Sequence, residues 1–509
     1  MLRVLLIGPF KGRDNSGDSF LAPSFGLYRM KFYIEKKLKR IRIDILDPNI
    51  DNYKEIKEMY DVIGFSLLHL TLENDLLLFN YFKLRFPDAI FIAGGPEVSF
   101  LGKKSFEYAL FDIIVLGEGE KTLLKILEAI VEGKREFSSI RSIYWRDKDK
   151  IFFSGYGKQL TLRDFKEIYE AYGVVDVPYN RYWRHNASLY NDPDLTEIRA
   201  IRVLFSNFCP LRCKFCSSTN FISYSYSGKF RGQGHFYILP VEDIIHFILN
   251  ITDTWSEVET IIFDDDNLFL DFKCFEELCL RIIALKEKGR LEKDLSFICQ
   301  GRPDDFSGPK KEILGLMKKA GFRMIMYGVE SFSNRVLAYL KKGVTRQQII
   351  RSIDVTIEAG ITPLIYIILL PPCISKEDLI ETADLCVKQM LKNVEISTTL
   401  LVMDIPGSEF YYDDSLKRIT KEYSISNSIS IKKSDYIWPS NASLFKLGKN
   451  IYENYPVYEK RFKQKYGIKH VPSRIYSYIV LDAVYKELGL ENKRKYLRKI
   501  SEDVVKNYR

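Results

Sequence analysis

The chain has 509 residues, 46% of them hydrophobic and 14% aromatic, which supplies packed interiors and is too long for one core. Its formal net charge of +9 is small for that length, and the densest basic runs, Lys36–Arg42 and Lys493–Lys499, read as solvated faces, so a nucleic-acid partner is not expected. No apolar run reaches the roughly 18 residues that cross a bilayer, and Met1–Gly8 reads as a strand rather than a signal peptide, so a cytoplasmic protein without a membrane partner is expected.

Along residues 1–135, short β-branched runs at Arg3–Ile7, Arg42–Leu46, Val62–Phe65, Ala89–Ala93 and Asp112–Leu116 alternate with helix-length segments such as Leu72–Phe86 and Glu118–Ile130. This alternation predicts a Rossmann-like, doubly wound parallel sheet with helices on both faces. Glycine turns follow strand ends at Gly8, Gly94-Gly95-Pro96 and Gly117-Glu118-Gly119. In such a sheet the ligand crevice lies beyond the carboxyl ends of the strands. No Gly-x-Gly-x-x-Gly follows the first strand, which argues against a dinucleotide.

Residues 136–198 read as a linker region, with a strand-like Ser142–Arg146 and an aromatic-rich Tyr179–Tyr190. Strand-then-helix units follow over 199–409. The strands are predicted at Ile201–Phe205, Thr260–Phe263, Leu295–Cys299, Arg323–Gly328, Thr362–Leu369 and Val394–Leu401. The helices are predicted at Val241–Asn250, Phe272–Lys288, Lys310–Ala320, Arg346–Ala359 and Lys376–Met390. Six units predict a partial (β/α)6, TIM-like barrel with its site at the C-terminal ends of the strands. Residues 410–509 read as a mainly helical region covering the barrel mouth, and Ser223–Phe236 as a loop that helps shape the substrate pocket.

Cys209, Cys213 and Cys216 lie directly after the first barrel strand, spaced Cys-x-x-x-Cys-x-x-Cys. Three thiolates can hold three irons of a four-iron, four-sulfur cluster and leave the fourth open; an open position is the mark of a reactive metal site. Structural zinc needs a fourth ligand at short spacing. The other cysteines, Cys274, Cys279, Cys299, Cys373 and Cys386, are scattered and supply none.

The stretch Asn207–Ser217 resembles the cluster-binding loop of the radical S-adenosylmethionine enzymes. The resemblance implies that the open iron is chelated by the amino and carboxylate groups of S-adenosylmethionine. Phe215 stands at the motif's aromatic position near the adenine. An electron from a donor such as flavodoxin or ferredoxin then cleaves the sulfonium to a 5′-deoxyadenosyl radical. Other strand ends are similar to family motifs. Asp265, in Phe263–Asn267, is implied to meet the methionine amino group or to order the loop. Arg302, in Gln300–Arg302, meets the cosubstrate carboxylate or forms a surface ion pair. Glu330 and Ser331, in Tyr327–Ser331, meet the methionine part and ribose, with helix capping the plain alternative for Ser331. Leu369–Cys373 departs from the family's glycine-containing turn, since Pro371 and Pro372 fix it rigidly, and Cys373 reads as a buried thiol or a radical relay. Ile405–Ser408 resembles the family's Pro-Gly-Thr turn.

The first domain resembles the cobalamin-binding domain that precedes the radical domain in one branch of this superfamily. Gly94, Gly95 and Pro96, with Glu97, match the loop after its fourth strand. Gly117, Glu118 and Gly119, with Glu120, match the loop after its fifth. The chain lacks the Asp-x-His-x-x-Gly pattern that ligates cobalt elsewhere, so the resemblance implies cobalamin with no protein histidine on its lower face. His69, just past the third strand, reads as a packing residue or as one facing the corrin. The function implied is a cobalamin-dependent radical enzyme, a methyltransferase acting on an unactivated carbon of a small molecule or peptide. One alternative is radical cyclisation, ring contraction or oxidation without methyl transfer. Another is a non-catalytic iron–sulfur electron-transfer protein, which would need closed coordination of the cluster.

Overall fold

The computed structural model describes residues 1–12, 20–134, 136–189, 198–230, 232, 234–425, 429–467, 471 and 473–505. Tyr190, at the end of the aromatic-rich stretch, and positions 231 and 233 of the expected pocket loop lie outside the described residues.

The N-terminal layer is built from β1 (Leu2–Ile7), α1 (Phe25–Lys37), β2 (Ile41–Leu46), β3 (Val62–Ser66), α2 (Leu72–Arg85), β4 (Ile90–Gly94), α3 (Pro96–Leu101), β5 (Ile113–Val115) and α4 (Glu120–Val131), followed by β6 (Ile143–Asp147) and β7 (Lys150–Phe153). The strand order is β2-β1-β3-β4-β5-β6-β7, and the first five are parallel. Alternate residues of each strand face opposite sides. Leu5, Ile63, Phe65 and Phe91 pack on Leu76 and Phe79 of α2, while Val4, Leu6, Val62 and Ile92 pack on Ile34 of α1 and Leu127 of α4. Both faces are therefore buried, which is why these strands read as continuous apolar runs. The sheet continues past residue 135, because β6 and β7 add antiparallel strands to its edge. Helix α1 was not anticipated: the lysine and arginine among its aromatic residues break the apolar stripe.

The stretch read as a linker is a packed joint. It carries α5 (Leu162–Glu170) and α6 (Tyr179–Leu189). Phe165, Tyr169, Tyr172 and Trp183 pack into one buried cluster with Tyr28 and Phe32 of α1 and with Ile201, Val203 and Phe205 of the next sheet. Aromatic residues at both ends of this joint thus fix the two sheets against each other.

The second sheet contains six parallel strands: β8 (Ala200–Val203), β9 (Thr260–Phe263), β10 (Ser296–Gly301), β11 (Phe322–Glu330), β12 (Thr362–Leu370) and β13 (Glu395–Met403). Between and around them run α7 (Ser218–Ser227), α8 (Val241–Thr254), α9 (Phe272–Glu287), α10 (Ile313–Ala320), α11 (Asn334–Tyr339), α12 (Arg346–Glu358) and α13 (Lys376–Met390). The expected pocket loop thus begins as helix, through Ser227. The open edge at β13 is covered in two ways. Its C-terminal end pairs antiparallel with β17 (Tyr436–Trp438), which follows β14 (Lys417–Arg418), β15 (Lys421–Ser424) and β16 (Ser430–Lys433). Nearer its start, Ser477 Oγ accepts from the Thr398 amide at 2.9 Å and donates to the Ile396 carbonyl at 2.7 Å. A helix hydroxyl thus completes a strand ladder that would otherwise invite another chain.

The region after 410 opens with short strands before α14 (Ala442–Tyr466), α15 (Ser473–Glu487), which carries Ser477, and α16 (Glu491–Val505). The β15–β16 hairpin reaches back to the first sheet, burying Ile425 and Ile431 in its core. Among the described residues no helix is long and apolar enough to cross a membrane.

Candidate active site

The cysteine loop leaves the C-terminal end of β8 and is pinned from several sides. The Lys214 amide donates to the Leu340 carbonyl at 3.0 Å, and the Lys214 carbonyl accepts from the Phe410 amide at 3.3 Å. Asp266 takes the Cys209 amide and the Ser218 hydroxyl. Burial pushes the Cys209 thiol up to about 11 and the Cys216 thiol up to about 12, and Asp266 and the neighbouring cysteines add to both shifts. A buried thiol that resists ionisation needs a cation to hold it as thiolate, and metal binding then releases the proton. Among the described residues no three His, Cys, Asp or Glu converge as they would on a single ion. Three thiols that feel one another across one short loop suit the wider corners of a cluster. The donor set fits that group.

Asp265 lies beneath this loop and is fully buried. Its Oδ1 accepts from the Phe205 amide at 2.9 Å and from the Ser206 amide and hydroxyl at 2.5 Å each. Burial raises its carboxyl to about 6 against those hydrogen bonds. These Oδ1 contacts order the start of the loop, while Oδ2 is buried and has no hydrogen-bond partner among the described residues.

Glu330 and Lys342 form a buried pair, Oε1 to Nζ 3.2 Å. Glu330 has φ +67° and sits at a register shift in the β11–β12 ladder. A non-glycine residue with this backbone is costly and persists where its surroundings enforce it. Gly328 gives the pair its room: a Cβ there would come within 2.8 Å of Glu330 Oε1 and 2.9 Å of Lys342 Nζ. The Lys342 ammonium also lies 5.8 Å from the Phe215 ring centroid. Burial pulls its pKa down, but Glu330 and Cys213 outweigh this and leave it raised. Arg302 donates to the Lys342 carbonyl at 2.7 Å and to Asp304 Oδ1 at 3.0 Å. The structure thus gathers Phe215, Arg302, Glu330 and Lys342 beside the cysteine loop. Lys342 was missed because Lys341-Lys342-Gly343 reads as an ordinary basic helix end. Ser331 turns inward instead: its hydroxyl meets Thr382 Oγ1 at 3.1 Å and accepts from the Ser333 amide at 3.1 Å, while Ser333 caps α11.

The barrel lumen is plugged by Ile262, Ile298 and Met324. Beyond the plug, Arg202 pairs with Asp264 at 2.9 Å. Burial raises the Tyr366 phenol, Arg202 opposes the shift, and Asp264 and Glu330 add to it; its hydroxyl meets Met326 Sδ at 3.3 Å.

A second concavity, of about 280 Å³, lies at the carboxyl ends of the first sheet. Gly64, Gly94, Gly95, Gly117 and Glu118 line it from one side, and Leu204, Ser206 and Asn207, just before Cys209, from the other. A Cβ on Gly94 would meet nothing within 4 Å, so it would enter open space at the cavity wall. Gly95 has φ +97°, and its Cβ would strike the Leu67 carbonyl at 2.7 Å, so that turn requires glycine before Pro96 opens α3. Glu118 accepts from the Tyr226 hydroxyl at 3.0 Å and the Leu160 amide at 3.3 Å, which ties the Gly117–Gly119 turn to α7. Burial, then Glu120, raises its carboxyl to about 7.

His69 is occupied at both ring nitrogens. Nδ1 lies 3.2 Å from each Glu97 oxygen, and Nε2 lies 2.9 Å from the Ser434 carbonyl. The Ser434 carbonyl can only accept, so Nε2 donates to it, while Glu97 takes up Nδ1. Burial lowers the imidazole, but the hydrogen bond and charge of Glu97 outweigh it and leave the pKa raised. Both ring nitrogens are thus engaged within the protein.

Residues 203–386, which carry the cysteine loop and the first five barrel strand ends, match the Radical SAM superfamily. The barrel of this chain is a radical S-adenosylmethionine domain. A curated relative, an uncharacterized methyltransferase of Pyrococcus horikoshii, is 24% identical over 340 residues, covering 66% of this chain and 63% of its own. Cytidylyl-2-hydroxyethylphosphonate methyltransferase of Streptomyces wedmorensis is 24% identical over 320 residues, 59% of this chain and 56% of its own. The match thus spans less than two thirds of either relative. Among solved structures, the radical S-adenosylmethionine methyltransferase TsrM of Kitasatospora setae, with cobalamin and a four-iron, four-sulfur cluster bound, superposes with a TM-score of 0.61 at 17% identity, over 81% of this chain and 77% of that one. The cobalamin-dependent S-adenosylmethionine radical enzyme OxsB gives 0.66 at 15% identity, over 100% of this chain and 81% of that one. At these identities the likeness establishes the fold alone: a partial parallel barrel behind a doubly wound sheet.

Proposed function

We propose that this chain is a cobalamin-dependent radical S-adenosylmethionine methyltransferase acting on an unactivated carbon of a small molecule or peptide. The observation that carries the reading is the shared wall between the two sites. Leu204, Ser206 and Asn207 close the cavity of the first sheet and run directly into Cys209. A ligand in that cavity and a cluster on the cysteine loop would be neighbours. The cluster with S-adenosylmethionine would supply a 5′-deoxyadenosyl radical, and cobalamin a transferable methyl group. Cys209, Cys213 and Cys216 would hold the cluster. Phe215, Arg302 and Glu330 would bind S-adenosylmethionine, with Lys342 balancing the buried carboxylate. Gly94, Gly95, Pro96, Gly117, Glu118 and Gly119 would admit cobalamin. Ser331 and Asp265 would fix the strand end and loop from behind.

The lumen beyond the Ile262–Met324 plug would take the substrate, with Arg202, Asp264 and Tyr366 as its polar contacts. The 404–438 segment, from Asp404 through β17, joins the two sites: the Phe410 amide holds Lys214, and the Ser434 carbonyl holds His69. We place the protein in the cytoplasm, where its eight cysteines stay free and a flavodoxin- or ferredoxin-type donor can deliver the electron. The test is cobalamin binding. Protein supplied with hydroxocobalamin should keep about one equivalent through gel filtration, as a deep ligand-burying crevice does. Its cob(II) electron paramagnetic resonance spectrum should show no nitrogen splitting, in the wild type and in His69→Ala alike. Failure to retain cobalamin in any redox state would leave radical chemistry without methyl transfer as the better reading.

A further inference from the structure

The three C-terminal helices, α14, α15 and α16, enclose a cavity of about 330 Å³ that shares no lining residue with the cavity of the first sheet. That volume is within the range of small-molecule sites. Its charges are one-sided. Arg461 and Lys465 of α14, Lys486 of α15, and Arg494 and Arg498 of α16 line it against a single carboxylate, Asp482. Asp482 Oδ1 accepts from Arg494 Nε at 3.0 Å and Arg498 Nε at 2.9 Å, which orients both guanidinium groups but balances one of them. Lys486 donates to the Tyr458 hydroxyl at 3.4 Å and reaches Glu487 only at 3.9 Å. Arg461 has no ion-pair partner among the described residues and is exposed. It also stands four residues before Lys465, a like-charge spacing that weakens a helix. An anion in the cavity would offset that repulsion.

The same cavity has an aromatic wall. Tyr458, Phe462 and Tyr466 recur every four residues on α14 and line it, and the last two rings lie 4.6 Å apart. Cations beside exposed ring faces suit a ligand that carries phosphates and a flat base together. The cavity is also set apart from the barrel. Ser477 of α15 bonds β13, and Ile479, Asp482, Ala483 and Lys486 fall on the opposite face of that helix at about 3.6 residues per turn. Helix α15 therefore stands between this cavity and the strands, so its ligand is not the molecule whose carbon reacts. We propose that the cavity is a second ligand site, for a nucleoside polyphosphate, with Arg461, Lys486 and Arg498 on the phosphates and the rings of α14 against the base. This site goes beyond the methyl-transfer reading and does not depend on it.

The test is calorimetric titration of the cluster-loaded full chain with three probes: ATP, inorganic triphosphate and adenosine. Saturating S-adenosylmethionine is present throughout, so that an adenosine site in the barrel is already filled. ATP should bind saturably, and triphosphate and adenosine should each bind at least about tenfold more weakly, because each supplies only part of the contacts. The double variant Arg461→Gln, Lys486→Gln should weaken ATP about tenfold or more. Lys36→Gln with Lys39→Gln removes the same charge from the basic run at the end of α1 and should change ATP binding by less than about twofold. Should the first double variant misfold, Arg461→Gln alone, at an exposed position, should still weaken ATP by about threefold. Absence of saturable ATP binding overturns the inference. So does triphosphate binding as tightly as ATP, which would make the cavity a site for a bare polyanion. An equal loss in the Lys36 and Lys39 variant also overturns it, because the binding would then follow net charge rather than this cavity.

Discussion

Glu330 and Lys342 meet at the end of β11 with side chains only 10% and 9% exposed, and Gly328 leaves the gap they fill. Removing one partner of such a pair strands the other charge, at a cost of about 3–5 kcal/mol. Lys342→Met should therefore lower unfolding stability by about 3 kcal/mol. Combining it with Glu330→Gln should recover more than about 1 kcal/mol in a double-mutant cycle. Additive losses in denaturant titrations would mean that the two side chains do not depend on each other.

The cysteine loop predicts a clean division among the thiols. Replacing Cys209, Cys213 and Cys216 together with Ala should abolish iron and sulfide binding and the visible absorption of the reconstituted protein. Cys274→Ala, at the start of α9, should bind the full complement. Iron analysis after anaerobic reconstitution checks both.

Gly94 separates ligand space from fold. Gly94→Leu places a side chain in the cavity without meeting protein atoms within 4 Å at its Cβ. Thermal stability should change little, while cobalamin retention falls about a hundredfold or more, because the added volume competes directly with the ligand. Gly95→Ala should do the reverse and lower the melting temperature, since its φ of +97° and the Leu67 carbonyl both oppose a side chain.

Glu118 gives the pH dependence. Its folded carboxyl is raised from 4.5 to about 7, so folding takes up a proton between those values. Raising the pH through that window removes stability, and the loss is complete above about 7. Glu118→Gln keeps an acceptor for Tyr226 without the charge. Its unfolding free energy should exceed the wild type's at pH 8 by about 2 kcal/mol after allowing for partial exposure, read by denaturant titration. At pH 4.5 the two should coincide.

Much of this architecture is legible in the sequence, because strands buried on both faces write themselves as apolar runs between longer periodic segments. The cysteine spacing is legible for a related reason: cluster ligands on one loop are adjacent in sequence as well as in space. Lys342, Arg29 and Glu120 are not. Lys342 owes its place to Glu330, 12 residues earlier across a strand end and a short helix, and Arg29 to Glu120, 91 residues on, and nothing in the local pattern separates a buried lysine from a solvated one. Ser331 and Asp265 show the converse. Both stand in recognisable motifs, yet their side chains bond the backbone and Thr382 behind the site. The joint at Phe165–Trp183 escaped because aromatic residues without a clear period announce burial but not what they are buried against.

The proposed function requires S-adenosylmethionine in two ways, as the source of the 5′-deoxyadenosyl radical and, in a second molecule, as the methyl donor that recharges the bound cobalamin and leaves as S-adenosylhomocysteine. Mass spectrometry of an anaerobic reaction containing cluster-loaded, cobalamin-loaded protein, S-adenosylmethionine and a strong reductant tests it most directly. Both 5′-deoxyadenosine and S-adenosylhomocysteine should accumulate; the triple cysteine variant should lose the first product, and Gly94→Leu the second. Wild-type protein that carries its cluster and releases no 5′-deoxyadenosine would contradict the account.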